Sequence, residues 1–271
     1  MAIFTLTCAT GAPGVTTTAL GLTLAWPRDV VLVDADRTAS QAVLAGYLSG
    51  TATGGRGLTS LAQAYRDGVD LASDLPSHLI PIPTDANTRA RWFVPGFAHP
   101  GSSRLFEPVW PELTAALADL DRQGMDVILD AGRWGAQGLP SAVLAHSRWL
   151  GLVTRSTLRS LAALRLYMAD ITSAASANSC TVELVVVGPG APYPAGEVGE
   201  HFGQAVDEVP WQPDDAAQLS DAAGRKTKTR NRPLARAYAA LAAHLRGIAD
   251  HWDAQLDPNL ALSHTSGATH A

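Results

Sequence analysis

The stretch Gly11–Thr18, GAPGVTTT, holds the residue types and spacing best suited to chemistry. A glycine bend between a strand and a helix turns successive backbone N–H groups, and the positive end of the helix, toward one point. That is the physics of a phosphate site. Against the template G-x-x-x-x-G-K-[ST], Gly11 and Gly14 fall where a tight turn needs them, with Ala12, Pro13 and Val15 between and after them. Thr16 stands in place of the second glycine and Thr17 in place of the lysine. Thr18 keeps the hydroxyl that can ligate Mg²⁺. The missing lysine matters, because a hydrogen bond to a charged group is worth about 1.5–3 kcal/mol. No neighbouring lysine replaces it, since Lys226 and Lys228 are the only lysines in the chain. A plain glycine turn is the competing reading.

Two other stretches end in carboxylates. Asp29–Asp36, DVVLVDAD, is an apolar run closing on Asp34 and Asp36, with Arg37 and Thr38 just beyond. Asp126–Asp130, DVILD, is followed by Ala131-Gly132-Arg133-Trp134-Gly135. Acids at the C-terminal ends of parallel strands lie on the rim where open sheets bind ligands, and one of them can hold a metal or a water beside phosphates. A solvated strand end is the alternative for each taken singly.

These residues need a scaffold, and the hydrophobic pattern supplies one. Ile3–Cys8 reads as a buried strand, and Ala19, Leu20, Leu22 and Leu24 as a helix that Pro27 closes. Further strands are expected at Trp92–Gly96, Asp126–Asp130, Trp149–Thr154 and Val182–Val187, and another short strand ends on Val209-Pro210-Trp211. Helices are expected from Pro111, with Leu113, Leu117 and Leu120 on one face and Gly124 ending it, and over Leu161–Ile171, capped by Ser156 or Thr157. Strands alternating with helices predict an α/β fold, a doubly wound and mostly parallel sheet covered on both faces. One domain over residues 1–253 is expected, with 254–271 a small, polar, disordered tail.

Composition narrows the function classes. With 46% hydrophobic and 17% charged residues and a net charge of −5 over 271 residues, the chain reads as a soluble globular protein. Its charge gives no global attraction to nucleic acid or anionic lipid. Met1–Pro27 carries no charged side chain, but it lacks a basic leader and GAPG interrupts its apolar run, which argues against a signal peptide or anchor. Cys8 and Cys180 lie far apart without metal-ligand spacing and read as core residues of a cytoplasmic protein.

The motifs GAPGVTTTAL, VVLVDADRTAS and DVILDAGRWG together resemble the ParA/MinD family of P-loop ATPases, the SIMIBI group with a deviant Walker A loop. The likeness continues through ELVVVGPG, EVPWQPDDAAQLS and RNRPLARAYAAL. The loop form G-x-P-G-V-T-T-T is similar to a divergent actinobacterial branch. The resemblance implies ATP and Mg²⁺ as ligands, a nucleotide-sandwich homodimer and a protein partner in positioning or partition. It implies Asp36 as the switch acid that positions the attacking water and a possible metal contact, and Asp130 as the Walker B acid. It also implies that the loop after Val209 lines the adenine, where Trp211 can stack. The family's phosphate lysine and signature lysine correspond to Thr17 and Ala12. Arg133 or Arg37 is the candidate replacement cation, because Arg is a strong phosphate ligand of different geometry. The expected function is a positioning factor that binds ATP and hydrolyses it weakly or not at all. The alternatives are a partner-stimulated ATPase and a nucleotide-free scaffold.

Arg225, Lys226, Lys228, Arg230, Arg232 and Arg236 gather six of the chain's 20 basic residues into one short run. Such a run can track the phosphates of nonspecific DNA; a solvated loop is the other reading, and anionic membrane the weaker third. Beyond it, Leu234, Tyr238, Leu241, Leu245, Ile248 and Trp252 form one apolar seam on a helix that Pro233 starts. Packing on the sheet is its default use, with a dimer seam or membrane contact as alternatives.

Overall fold

The structure is a computed structural model that describes residues 3–83, 89–190, 192–221 and 232–256. Its strands are β1 (Ile3–Cys8), β2 (Asp29–Asp34), β3 (Ile80–Pro81), β4 (Arg91–Val94), β5 (Met125–Arg133), β6 (Ser147–Arg155), β7 (Thr181–Val187) and β8 (Val206–Val209). They form one sheet in the order β3-β4-β2-β5-β1-β6-β7-β8, parallel except for the β3–β4 pair. The helices are α1 (Val15–Ala25), α2 (Ala42–Ala45), α3 (Leu58–Arg66), α4 (Leu71–Asp74), α5 (Trp110–Asp121), α6 (Ser141–His146), α7 (Leu158–Ala177), α8 (Ala195–Phe202), α9 (Pro213–Ser220) and α10 (Pro233–Leu256).

Alternation along the strands divides the core in two. Val31 and Val33 of β2 face a cluster containing Leu58 and Leu61 of α3, Leu113, Leu117 and Leu120 of α5, and Leu164 and Ile171 of α7. Val30 and Leu32 face the opposite cluster, with Leu20 and Leu22 of α1, Val43 and Leu44 of α2, and Leu234, Tyr238, Leu241 and Leu245 of α10. A sheet buried on both faces is what near-continuous apolar strands require.

Helix α1 opens on Val15-Thr16-Thr17-Thr18, a β-branched run of poor helix propensity, so packing rather than propensity holds it. It ends where Trp26 turns extended before Pro27, and the Trp26 ring packs on Phe4 with centroids 4.8 Å apart. Helix α10 lies directly against it. A Cβ on Gly21 would sit 2.1 Å from the Tyr238 ring, so the glycine permits the close approach. The apolar seam of α10 is thus spent on the sheet, with Ile248 and Trp252 partly buried along the same cluster.

Several boundaries differ from the sequence reading. Strand β5 does not stop at Asp130 but runs on to Arg133 through a register irregularity beside Leu6 and Cys8. The extension is pinned by the Thr7 hydroxyl donating to the Gly132 carbonyl at 3.0 Å and by Trp134 N–H donating to the Cys8 carbonyl at 2.8 Å. Strand β8 ends at Val209, before Trp211, and α9 follows where no helix was expected. Helix α10 continues to Leu256, past the expected domain end. Residues 257–271, expected as a tail, lie outside the described residues. Cys8 and Cys180 are both buried and unpaired.

Candidate functional site

The strand register assembles the site. Leu6 pairs with Asp130 and Asp34 with Asp130, so the chain leaves β1 beside the acidic ends of β2 and β5. The bend that follows is open. Gly11 and Gly14 have φ of 75° and 107°, conformations that favour glycine, and a Cβ on either would meet nothing within 4 Å. Gly14 is the N-cap of α1; it offers no capping side chain, and no acidic residue occupies the first turn. Thr18 N–H closes on the Gly14 carbonyl at 2.8 Å, while the earlier amides of the turn lack intrahelical partners by construction. An anion is their natural partner.

Three carboxylates gather beside this bend. Asp130 is 2% exposed, and burial raises its pKa to about 6. The Thr16 side chain and the Gly132 N–H, at 3.0 Å, pull the value back down, and the Asp36 charge raises it. Asp34 is pushed well above the ordinary carboxylate range by burial and then by the Asp130 charge, against a hydrogen bond from Asp36 N–H at 3.3 Å. Asp36 accepts from Thr38 N–H at 2.8 Å and packs on Gly132, where a Cβ would lie 2.1 Å from its carboxyl carbon. Buried like charges of this kind favour either a proton or a bound cation.

The two candidate arginines are now separated. Arg133 is exposed, and its Nε donates to the Gly11 carbonyl at 2.8 Å, which sets its guanidinium at the mouth of the bend. Arg37 instead donates to the carbonyls of Trp134, at 3.1 Å, and Gly138, so it braces the segment after β5. Ala12 is exposed at the same mouth and Pro13 is buried beneath it. Thr16 and Thr17 line a cavity of about 40 Å³ with Leu20, Ala42, Val43, Leu219 and Ser220, enough for water and too small for a nucleotide. Thr18 is 1% exposed, and its side chain faces Tyr238 of α10. The hydroxyl that reaches the β5 acid is therefore that of Thr16, not that of Thr18.

Trp211 lies apart from the bend, half exposed, with the Arg155 guanidinium 3.7 Å from its ring centroid. The two residues line a cavity of about 330 Å³ with Ser156, Thr157, Val187, Gly188, Pro189 and Pro210, at the C-terminal ends of β6, β7 and β8. Of the basic run, Arg225, Lys226, Lys228 and Arg230 lie outside the described residues. Arg232 pairs with Asp215 of α9, and Arg236 is exposed on α10. Among the described residues no helix is long and apolar enough to cross a membrane.

No protein-family model and no curated protein sequence matches this chain. Solved structures do. A ParA family ATPase from Chlorobium tepidum TLS superposes with a TM-score of 0.69 at 18% identity, over 90% of this chain and 98% of that one. The septum site-determining protein MinD of Pyrococcus horikoshii, complexed with Mg-ADP, gives 0.64 at 17% identity, over 92% and 97%. The ATP complex of McdA from Cyanothece gives 0.61 at 17%, over 89% and 96%. The fold is that of the ParA/MinD ATPases. On this fold GAPGVTTTAL falls at the bend between β1 and α1, and DVILDAGRWG at the end of β5.

Two features here come from the fold alone. Asp34 was legible as the first acid of D-x-D, yet its burial beside Asp130 arises from the β2–β5 register. Arg155 carried no motif, and only the fold brings it over Trp211.

Proposed function

We propose that this chain is a positioning or assembly factor that binds ATP and Mg²⁺ in a lysine-free loop and turns the nucleotide over slowly or not at all. The observation that carries the reading is Arg133, whose Nε is anchored on the Gly11 carbonyl and whose guanidinium would supply the cation that a polyphosphate in the bend needs. The residues fit the group. Backbone amides from Gly11 to Thr17 would take the phosphates, Asp130 and Asp36 would hold Mg²⁺ or its waters, and Arg155 with Trp211 would seat the base. When bound, Mg²⁺ would neutralise the phosphate and carboxylate charge. In the reading from resemblance, Asp36 orients the attacking water. Thr18, directed at Tyr238, has no part in this scheme.

The same reading makes the chain a cytoplasmic homodimer with a protein partner. MinD and McdA are structural neighbours that carry Mg-ADP and ATP, and a MinC:MinD complex of Aquifex aeolicus shares the fold, which supports the analogy without naming this chain's partner. With Ala12 in place of the signature lysine, a dimer would rest on other contacts. Calorimetry with ATP and Mg²⁺, followed by a phosphate-release assay on wild type and Asp36→Ala, tests the proposal. Binding with negligible turnover supports it. Turnover that vanishes in Asp36→Ala makes the chain a working ATPase instead, and no binding makes it a scaffold.

A further inference from the structure

Away from the bend, toward the N-terminal ends of the last two strands, three elements bring three side chains together. Glu183 of β7, Asp207 of β8 and His244 of α10 each offer one ligand atom within 4.8 Å of the others. The Glu183 and Asp207 side chains are 10% and 16% exposed, and among the described residues their one ion-pair partner is His244. Asp207 Oδ2 is sealed from solvent and has no hydrogen-bond partner. Burial lowers the His244 pKa, but the Asp207 hydrogen bond and the Asp207 and Glu183 charges outweigh it and raise the value, so the two carboxylates share one imidazole and a proton on the ring competes with any bound cation.

The hydrogen bonds say where it would sit. His244 Nδ1 lies 3.0 Å from Asp207 Oδ1, so an Nδ1–H donating to that oxygen fixes the tautomer and turns the Nε2 lone pair toward Glu183. Nε2 is 3.8 Å from Glu183 Oε2, too far for a hydrogen bond. Two donors at about 2.0–2.1 Å from one tetrahedral ion stand about 3.4 Å apart, so a closure of roughly 0.4 Å by the exposed imidazole brings both onto it. Trp149 Nε1 donates to the same Glu183 carboxylate at 2.7 Å and holds it in place. A carboxylate that steers an imidazole through Nδ1 while Nε2 faces the ion is a recurrent outer-shell arrangement around metals.

We propose that His244 Nε2 and the Glu183 carboxylate form a site for a divalent transition-metal ion of the Zn²⁺ class, with Asp207 orienting the imidazole. Water completes the coordination on the open side, where the His244 side chain is 40% exposed. Mixed imidazole and carboxylate donors suit Zn²⁺ better than Mg²⁺. The ion fastens α10 to the β7–β8 edge, and α10 in turn seats Tyr238 on α1, the helix that begins at the glycine bend. The site is independent of nucleotide binding.

Zinc chloride is titrated calorimetrically into the full chain at neutral pH with Mg²⁺ in excess, in wild type and in an Asp130→Asn background that removes the other carboxylate cluster as a competitor. One Zn²⁺ per chain is expected in both. His244→Ala and Glu183→Gln abolish it, and Asp207→Asn weakens it about 10–100-fold. Should His244→Ala fail to fold, anomalous scattering at the zinc edge from wild-type crystals must place the ion between His244 and Glu183. Absence of zinc binding, equal binding by His244→Ala, or an ion located elsewhere overturns the site. A protein that gains stability on acidification through the His244 titration, with no zinc-dependent rise in melting temperature, also overturns it and makes the ring a protonated clamp.

Discussion

Arg133 donates from Nε to the carbonyl oxygen of Gly11 at 2.8 Å, joining the end of β5 to the bend that precedes α1. The contact spans the two motifs that carry the nucleotide reading. It depends on β5 running past Asp130, because a strand that stopped at the acid would leave Arg133 in a free turn.

Replacing Arg133 by Ala is expected to weaken ATP binding roughly 10–150-fold, the equivalent of losing one charged hydrogen bond of about 1.5–3 kcal/mol. Because the side chain is exposed, the melting temperature of the apo protein should hardly move. Titration of both proteins with ATP and Mg²⁺ measures the first effect, and a thermal melt the second. Equal affinities would remove Arg133 from the site.

Trp211 and Arg155 are expected to act on the base alone. Trp211→Ala should weaken ATP roughly 5–150-fold, as the loss of about 1–3 kcal/mol of base stacking requires, yet leave tripolyphosphate binding unchanged. Competition between the two ligands separates the contributions. A matched loss for both would place Trp211 in the structure of the loop rather than in the base seat.

Much of this could be read from the chain and some could not. The glycine bend, D-x-D and DVILD were visible because each is a local pattern on its own strand end. The alternation of apolar runs likewise gave the two-faced sheet. What escaped depends on pairs far apart in sequence. Nothing in the sequence around Thr18 says that its side chain meets Tyr238, or that Gly132 lies under the Asp36 carboxyl. Helix α9 escaped because it is short and buries no side chain fully, although Pro213-Asp214-Asp215 is a recognisable helix start.

The acidic cluster gives a pH prediction of definite sign. The Asp130 pKa is raised to about 6 in the fold, so between about 4 and 6 the native state holds a proton that the unfolded chain has released. Stability from this group is therefore fully present at low pH and lost as pH rises through that window, by roughly 2–3 kcal/mol. Asp130→Asn, which cannot ionise, should match wild type near pH 4 and exceed it at pH 7 to 8. Urea midpoints across the range decide it; a variant that is weaker at every pH contradicts the raised value.

Gly132→Ala joins two faults, a φ of 60° and a Cβ placed 2.1 Å from the Asp36 carboxyl carbon. Overpacking of this order costs about 1–3 kcal/mol. The expected variant folds with a lower melting temperature and loses Mg²⁺-dependent enhancement of nucleotide binding, since Asp36 must move. Retained Mg²⁺ dependence would show that Asp36 stands outside the metal's reach.

The central claim is that backbone amides at Gly11–Thr17, with Arg133 as the cation, hold a nucleotide without a lysine. Calorimetric titration of the full chain with ATP and Mg²⁺ tests it most directly. The account predicts one nucleotide per chain, weakened when Mg²⁺ is chelated and again in Arg133→Ala. No heat, together with no thermal shift at millimolar ATP-Mg²⁺, ADP or GTP, would contradict it and leave a ParA/MinD fold without a nucleotide switch.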